Sequence, residues 1–298
     1  MDLSIIIVNY NAKDYLKNCL LSLKKNIDKT LKHEVIVVDN NSNDQSTQMV
    51  KKYFPSVKLI ENSNEGFSKA NNKGVKLSKG KFVLFLNPDT VVYKNTISGM
   101  IKFMQQNKDC GAATCFVEHE NGRLDYSSHR GFPTPWNSFC YFFGLSKLFP
   151  KLKIFSGYTL TYKNLQITHE IDALAGAFMM VNRVAGEQVN WWDEDYFFNG
   201  EDLDFCYRLK EKKWKIYFVP EYKILHFGGV SGGTKKHSQH LTTASLETKK
   251  TIQKHRFEAM RIFYNKHYRN KYPFFVTKLM MFAISQKEKG ELAKLKAL

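Results

Sequence analysis

Acidic side chains are scarce in this 298-residue chain: 28 Asp and Glu stand against 45 Lys and Arg, a formal net charge of +17. So strong a basic excess points to polyanions (anionic lipid, nucleic acid or phosphorylated substrates) or else to a merely solvated basic face. Cysteine is sparse too. The five thiols, at positions 19, 110, 115, 140 and 206, form no CxxC pair and are odd in number, which argues against a disulfide framework or a zinc site and for reduced cytosolic thiols. Long apolar runs are missing. The best candidate, Phe274 to Ser285, is short and broken by Lys278, so no membrane span is expected. Met1-Asp2-Leu3-Ser4 runs straight into Ile5–Val8 with no basic leader, so no secretory signal is expected either. Neither repeats nor low-complexity linkers occur, and the ordinary apolar fraction of 43% excludes disorder.

What is present alternates. Strand patterns at Leu3–Val8, Glu34–Val38, Val57–Glu61 and Lys81–Leu86 are separated by helical patterns. These lie around Tyr15–Leu23, from a cap at Ser42 or Asn43 toward Phe54, and over Phe67–Leu77. Strands alternating with helices of this length predict an α/β fold with a parallel, doubly wound sheet. Further on, Cys110–Glu118 reads as a strand and Asn121-Gly122 as a hairpin turn. The aromatic, proline-bearing stretch from Asp125 to Ile167 reads as a long binding loop with short helices. Ile171–Val181 is expected as a strand, Glu201–Lys212 as a helix, and Lys215–Val219 as a strand stopped by Pro220. From Ser238 the chain reads as helix, with a break at Tyr272-Pro273.

Several polar groups stand where such a sheet binds ligands, at strand C-termini. Asn87-Pro88-Asp89-Thr90 follows the apolar run Phe82–Leu86, and Asp39 ends the second strand. The Asp39 carboxylate can accept the imide N–H of uracil or thymine, and Tyr10, after the first strand, can stack on the ring; alternatively Asp39 starts an Asx turn. Gly66 allows a turn into a helix whose N-terminal amides favour an anion, with Asn64 and Asn71 offering amide hydrogen bonds to ribose or phosphate. Downstream, Gly200-Glu201-Asp202-Leu203-Asp204 opens a helix, and Asp204 and Arg208 can pair one turn apart. Trp191 and Trp192 lie just before it, suited to form an aromatic wall for an acceptor sugar. His226-Phe227-Gly228-Gly229 then brings an imidazole and flexible backbone.

This four-part order resembles nucleotide-sugar glycosyltransferases of the inverting family 2 type, over roughly the first three quarters of the chain. The resemblance implies a GT-A fold. Residues 1–235 would be the catalytic domain, nucleotide-binding to residue 118 and acceptor-binding from 119, and residues 236–298 a basic helical extension. It further implies Asp202 as general base, with Glu201 orienting it or binding acceptor, and Asp89 and His226 as ligands of Mg²⁺ or Mn²⁺ on the leaving diphosphate. Family members usually carry a second acid where this chain has Asn87. Asn-Pro-Asp is similar to the motif of rhamnosyltransferase-like members, which makes rhamnose the expected sugar and a dTDP- or UDP-sugar the expected donor.

Similar enzymes extend glycans on polyprenyl-diphosphate lipids at the cytoplasmic membrane face, so a lipid-linked acceptor in cell-surface polysaccharide synthesis is expected. Between Lys235 and Leu298, 15 Lys or Arg face only 4 Glu. Interleaved with these bases are Phe257, Met260, Ile262 and Phe263, then Phe274, Phe275, Leu279, Met280, Met281 and Phe282. Such helices suit an anionic membrane surface, or else they pack on the catalytic domain or form a homodimer. Two rivals are weaker. A nucleotidyltransferase would need a Gly-rich basic loop after the first strand, and a nucleic-acid-binding module would need a recognition motif; neither is found.

Overall fold

The computed structural model describes residues 1–229 and 246–296. Gly232, Gly233, Lys235 and the helix start expected at Ser238 lie outside the described residues. Among the described residues nine strands form one sheet. Its first half is built as the alternation predicts. Strands β1 (Leu3–Asn9), β2 (His33–Asp39), β3 (Lys58–Glu61) and β4 (Phe82–Leu86) pair in parallel in the order β3-β2-β1-β4. They are joined by helices α1 (Lys13–Asn26), α2 (Ser46–Tyr53) and α3 (Phe67–Leu77). Strands β1 and β4 are buried along their whole length, which explains their unbroken apolar character.

The second half departs from the sequence reading. A short strand β5 (Thr90–Val92) and helix α4 (Thr96–Gln106) follow β4, neither signalled by periodicity strong enough to be expected. Strand β6 (Cys110–Glu118) leads into the irregular region, where α5 (Pro135–Phe142) and α6 (Leu145–Leu148) are the expected short helices. The strand expected over Ile171–Val181 is divided. Two residues, His169–Glu170, form β7, and Phe178–Asn182 form β8, while Ala175-Gly176-Ala177 stay irregular and line a cavity. After α7 (Arg183–Gln188) and α8 (Glu201–Glu211), strand β9 (Lys215–His226) runs through Pro220 rather than stopping there. The register against β6 jumps from Val219 to Lys223, so the proline falls in a bulge where no ladder hydrogen bond is needed. The α2 cap also differs. Gln45 precedes α2 without a side-chain cap, and the Ser42 hydroxyl instead accepts from the Asn11 backbone and the Asn9 amide.

Helices α9 (Leu246–His267) and α10 (Phe274–Lys296) pack on each other, and α9 packs on the preceding α/β residues. On α9, Phe257, Ala259, Phe263 and Tyr264 are buried, the last three in a cluster with Tyr196 and Tyr207. Phe257 and Phe263 were expected to be available to a membrane; packing removes both from solvent. On α10 the expectation of exposure holds for Phe274, Phe275, Leu279 and Phe282. Polar contacts fix the pair. His267 lies 2.7 Å from Asp204, which also accepts from Arg208, and Lys266 reaches Asp193 and Asp195. Burial alone would raise the Asp204 carboxyl, but hydrogen bonds from His267 and Arg208 hold it below the usual range. No described helix is long and apolar enough to cross a membrane.

Candidate active site

A cavity of about 750 Å³ opens where β1, β2 and β4 end, and α8, α9 and the irregular region close around it. Its polar floor is set by strand pairing. Antiparallel β5 and β9 align Thr90 with His226, and the Phe227 N–H donates to the Asp89 carbonyl at 3.0 Å. This register carries two residues 137 positions apart to the same wall, where His226 Nε2 lies 3.3 Å from the Asp89 carboxylate. The Asn87 amide is 3.4 Å from the same nitrogen. On the far side of the ring, Asp125 accepts from Nδ1 at 3.0 Å. Burial alone would push the His226 imidazole down, but Asp89 and Asp125 outweigh it and raise it to about 9.

No group of three or more His, Cys, Asp or Glu among the described residues has the arrangement of a self-contained metal cage. Asp89 and His226 nonetheless fit a divalent ion that completes its shell with substrate phosphates, as Mg²⁺ and Mn²⁺ do in phosphate sites. The Asp89 carboxylate and His226 Nε2 converge on one point of the cavity wall, where a bound ion would replace the Nε2 proton while Asp125 keeps hold of the second ring nitrogen.

Across the cavity stands the N-terminus of α8. Gly200, at φ +85°, turns the chain into the helix, and an added Cβ there would meet the Ala259 Cβ at 3.0 Å. Glu201 and Asp202 occupy the first turn, where acids offset the helix dipole. Asp202 faces the cavity and pairs with Arg130 at 2.5 Å. Glu201 is buried against the same cavity, and its Oε2 has no hydrogen-bond partner among the described residues. Burial, then the charge of Asp202, raises its carboxyl well above the ordinary range. A buried carboxyl with an open oxygen facing a cavity is equipped to hold a ligand hydroxyl.

The nucleotide-side residues divide. Tyr10 and Asn64 line the cavity, as do Val8 and Asn40. Asp39 ends β2 next to Asn40, buried and not itself on the cavity lining. Its oxygens accept from the Asn9 amide at 2.8 Å and the Ser42 N–H at 2.8 Å, so the Asx-type turn is present, with a further lone pair on each oxygen. Asn71 is turned inward on α3, where its amide donates to the Phe67 carbonyl at 3.0 Å, and it does not reach the cavity. The helix backbone has taken the donor that was expected to serve ribose or phosphate. Gly66, at φ +99°, lies so close to Phe197 that a Cβ would approach its carbonyl oxygen to 2.7 Å. That contact ties the nucleotide side to the loop before α8.

Trp191 and Trp192 are not the acceptor wall. Trp192 is 2% exposed, between Phe85 and Phe205, and Trp191 stacks on Phe205 behind it. Neither lines the cavity. The loop turns back at Asn190 and Trp191, both at positive φ, with Trp192 buried in the core and Trp191 half-buried against it, while Phe197 and Phe198 are on the cavity surface. Sequence reasoning missed Arg130 and Asp125. A faint signal for Arg130 exists: it is the one Lys or Arg between Arg123 and Lys147, in an otherwise aromatic stretch.

A mixed sheet, parallel over β3-β2-β1-β4 and joined by antiparallel β8 to the second half, with a carboxylate at the mouth of β4 and an acid pair opening a helix across the cavity, defines a GT-A glycosyltransferase. Residues 4–165, more than half of the chain, match the glycosyl transferase family 2 model, and the chain belongs to that family. It is 27% identical over 232 residues to the rhamnosyltransferase WbbL of Escherichia coli K12, covering 75% of this chain and 82% of that protein. It is 24% identical over 246 residues to the N-acetylglucosaminyl-diphospho-decaprenol L-rhamnosyltransferase of Mycobacterium tuberculosis, covering 78% of each chain. Among solved structures, the mannosyltransferase PcManGT of Pyrobaculum calidifontis, determined with GDP-Man and Mn²⁺, superposes with a TM-score of 0.60. The likeness covers 99% of this chain and 73% of that one at 14% identity.

Proposed function

We propose that this glycosyltransferase moves a sugar, rhamnose on the strength of its relatives, from a dTDP- or UDP-linked donor to a hydroxyl of a cell-surface glycan precursor, with inversion. The observation that carries the reading is the opposition, in one cavity, of the Asp89–His226 pair and the Glu201–Asp202 pair. Transfer needs a neutralised leaving diphosphate on one side of the anomeric carbon and a base for the acceptor on the other.

Asp202 takes the proton of the acceptor hydroxyl. The freed oxygen pair forms the new bond to the anomeric carbon as the bond from that carbon to the diphosphate oxygen breaks, and the electron pair leaves with the diphosphate. Asp89 and His226 would hold a divalent ion, which would supply charge neutralisation of that leaving group. Arg130 holds the Asp202 carboxylate in one orientation, and Glu201 takes an acceptor hydroxyl through its open oxygen. Tyr10 and Asn64 meet the nucleotide, with Asp39 accepting the imide N–H of the base. Glu201, the carboxyl beside Asp202, is raised well above the ordinary range by burial and so is a poor nucleophile, which favours a single in-line displacement over a covalent intermediate.

The name of the mycobacterial relative supports a polyprenyl-diphosphate-linked acceptor, and the basic surplus with exposed Phe274 and Phe275 supports work at the inner face of the cell membrane. The test is a thermal-shift panel of UDP-, GDP- and dTDP-sugars with Mg²⁺, Mn²⁺ or EDTA, since a ligand that binds the native state raises its melting temperature by mass action. Stabilisation by one nucleotide sugar, dependent on the ion, is expected. A panel without any shift would overturn the reading.

A further inference from the structure

Arg130 reaches Asp202 from a segment whose own anchor lies outside the cavity. One residue earlier, His129 is completely buried, and its Nε2 lies 2.7 Å from Nε2 of His169 on β7. Neither imidazole lines the cavity. Both rings pack on Phe218 of β9, at centroid separations of 4.8 Å for His129 and 5.3 Å for His169. Strand β7 pairs with β9 at the same place, with His169 opposite Phe218. Just beyond β7, Ala173 exchanges backbone hydrogen bonds with Arg130. The segment is thus stapled to the sheet twice, by a side chain at His129 and by backbone at Arg130.

Hydrogen-bond partners fix where the protons of the two rings sit. His169 Nδ1 is 2.8 Å from the Ile167 carbonyl, which can only accept, so Nδ1 carries the proton and Nε2 of the neutral ring is bare. His129 Nε2 therefore donates to it. The other His129 nitrogen, Nδ1, is buried with no hydrogen-bond partner among the described residues, so a proton there would have no acceptor. Burial lowers both imidazoles, and the charge of Lys163 acts in the same direction on each. Glu170 and Asp172, the acids beside β7, are turned to Lys210. Both rings are therefore neutral near neutral pH, and the bond between them is kept.

We propose that His129 and His169 are positioning residues for the general base: their hydrogen bond pins the segment that aims the Arg130 guanidinium at the Asp202 carboxylate. The pair sets the rate of transfer without touching donor or acceptor. This role rests on the glycosyltransferase reading above, with Asp202 as its base. Turnover rather than nucleotide binding is the quantity it governs. Asp125, earlier in the same segment, is held separately, its N–H donating to the Val117 carbonyl at 2.8 Å and its carboxylate accepting from the Ser127 N–H at 3.0 Å. The His226 side of the site therefore keeps its support when the pair is broken. Arg130 follows His129 directly, and a misplacement of about 1 Å can cost on the order of 10²-fold in rate.

The experiment compares His169→Leu, which removes the acceptor at a half-buried position, with His169→Gln, whose amide oxygen still accepts from His129 Nε2. Release of nucleotide from dTDP-rhamnose, UDP-sugars and GDP-sugars is measured on the full-length protein, beside nucleotide affinity and melting temperature. His169→Leu should lower kcat about tenfold with nucleotide affinity unchanged, and His169→Gln should restore most of the loss. In an Arg130→Met background His169→Leu should lower kcat no further, because the pair acts through Arg130. Nitrogen-15 spectra of the wild-type imidazoles should show His129 as the Nε2–H tautomer and His169 as the Nδ1–H tautomer. Unchanged kcat in His169→Leu, an equal loss in His169→Gln, loss of nucleotide affinity together with kcat, an additive loss on Arg130→Met, or the opposite tautomers would overturn the positioning role and leave the glycosyltransferase reading standing. A wild type that releases nucleotide from none of the donors would overturn that reading, and the positioning role with it.

Discussion

Arg130 and Asp202, 72 positions apart, meet at 2.5 Å with both side chains largely withdrawn from solvent. The backbone of Arg130 is held in turn by a reciprocal pair of hydrogen bonds with Ala173 at 3.1 and 2.9 Å, so the guanidinium is delivered from a fixed strand-like segment. A partnered carboxylate at the opening of α8 is oriented before any acceptor arrives.

Asp202→Asn should therefore fold normally, because Arg130 retains a carbonyl acceptor, while turnover falls by about 10²-fold or more with donor binding preserved. Steady-state kinetics beside a nucleotide titration reads both. Near-wild-type turnover would move the base to Glu201.

Removing the other partner should act on stability. Arg130→Met leaves the largely shielded Asp202 without its cation and should cost about 3 kcal/mol, and adding Asp202→Asn should recover much of that loss. Urea unfolding of the two single variants and the double variant closes the cycle. Additive losses would show that the pair is not coupled.

On the opposite wall, Asp89→Ala and His226→Ala should each weaken nucleotide-diphosphate binding and abolish its response to added Mg²⁺ or Mn²⁺. Asp125→Ala, which frees the imidazole it now anchors, should weaken the ion-dependent part by about tenfold or more. Titrations with and without EDTA separate these effects. An EDTA-insensitive wild type would leave basic residues to neutralise the diphosphate.

Glu201 supplies a pH signature. Its carboxyl is raised to about 8 by burial and then by Asp202, so the folded state favours the protonated form. The stability gained from that form is complete below the ordinary carboxylate range and is lost as pH rises toward about 8. Glu201→Gln cannot ionise. Wild type should lose stability relative to this variant across the rise, by at most about 1.4 kcal/mol per pH unit. Parallel stability-versus-pH curves would mean that the carboxyl titrates normally.

Much of the first half of the molecule was legible in the chain. Leu3–Asn9, His33–Asp39 and Phe82–Leu86 are buried strands, and burial on both faces writes itself as continuous apolar residues. Asp39 and Asp89 follow such runs directly, so their place at the strand mouths needed only local sequence. The acid pair at Glu201 and Asp202 was readable for the same reason, as the opening of a helix marked by Gly200.

The rest depended on contacts between distant segments. Trp191 and Trp192 look like a wall in sequence, yet the chain turns back at two positive-φ residues with Trp192 in the core and Trp191 half-buried against it, and nothing in an aromatic pair says which way its backbone turns. Asn71 offers an amide that the helix itself consumes. Pro220 signals an end to a strand, but the bulge against β6 accommodates it, and the three-residue β5 was too short to show a period. It is the β5–β9 register that joins Asp89 to His226, and the Arg130–Ala173 bridge that brings a cation to Asp202. The sequence alone determined which groups the strands and helices present at their ends. Only the tertiary structure decided which of them face one another, because pairing register and loop direction are set by long-range packing rather than by neighbours in the chain.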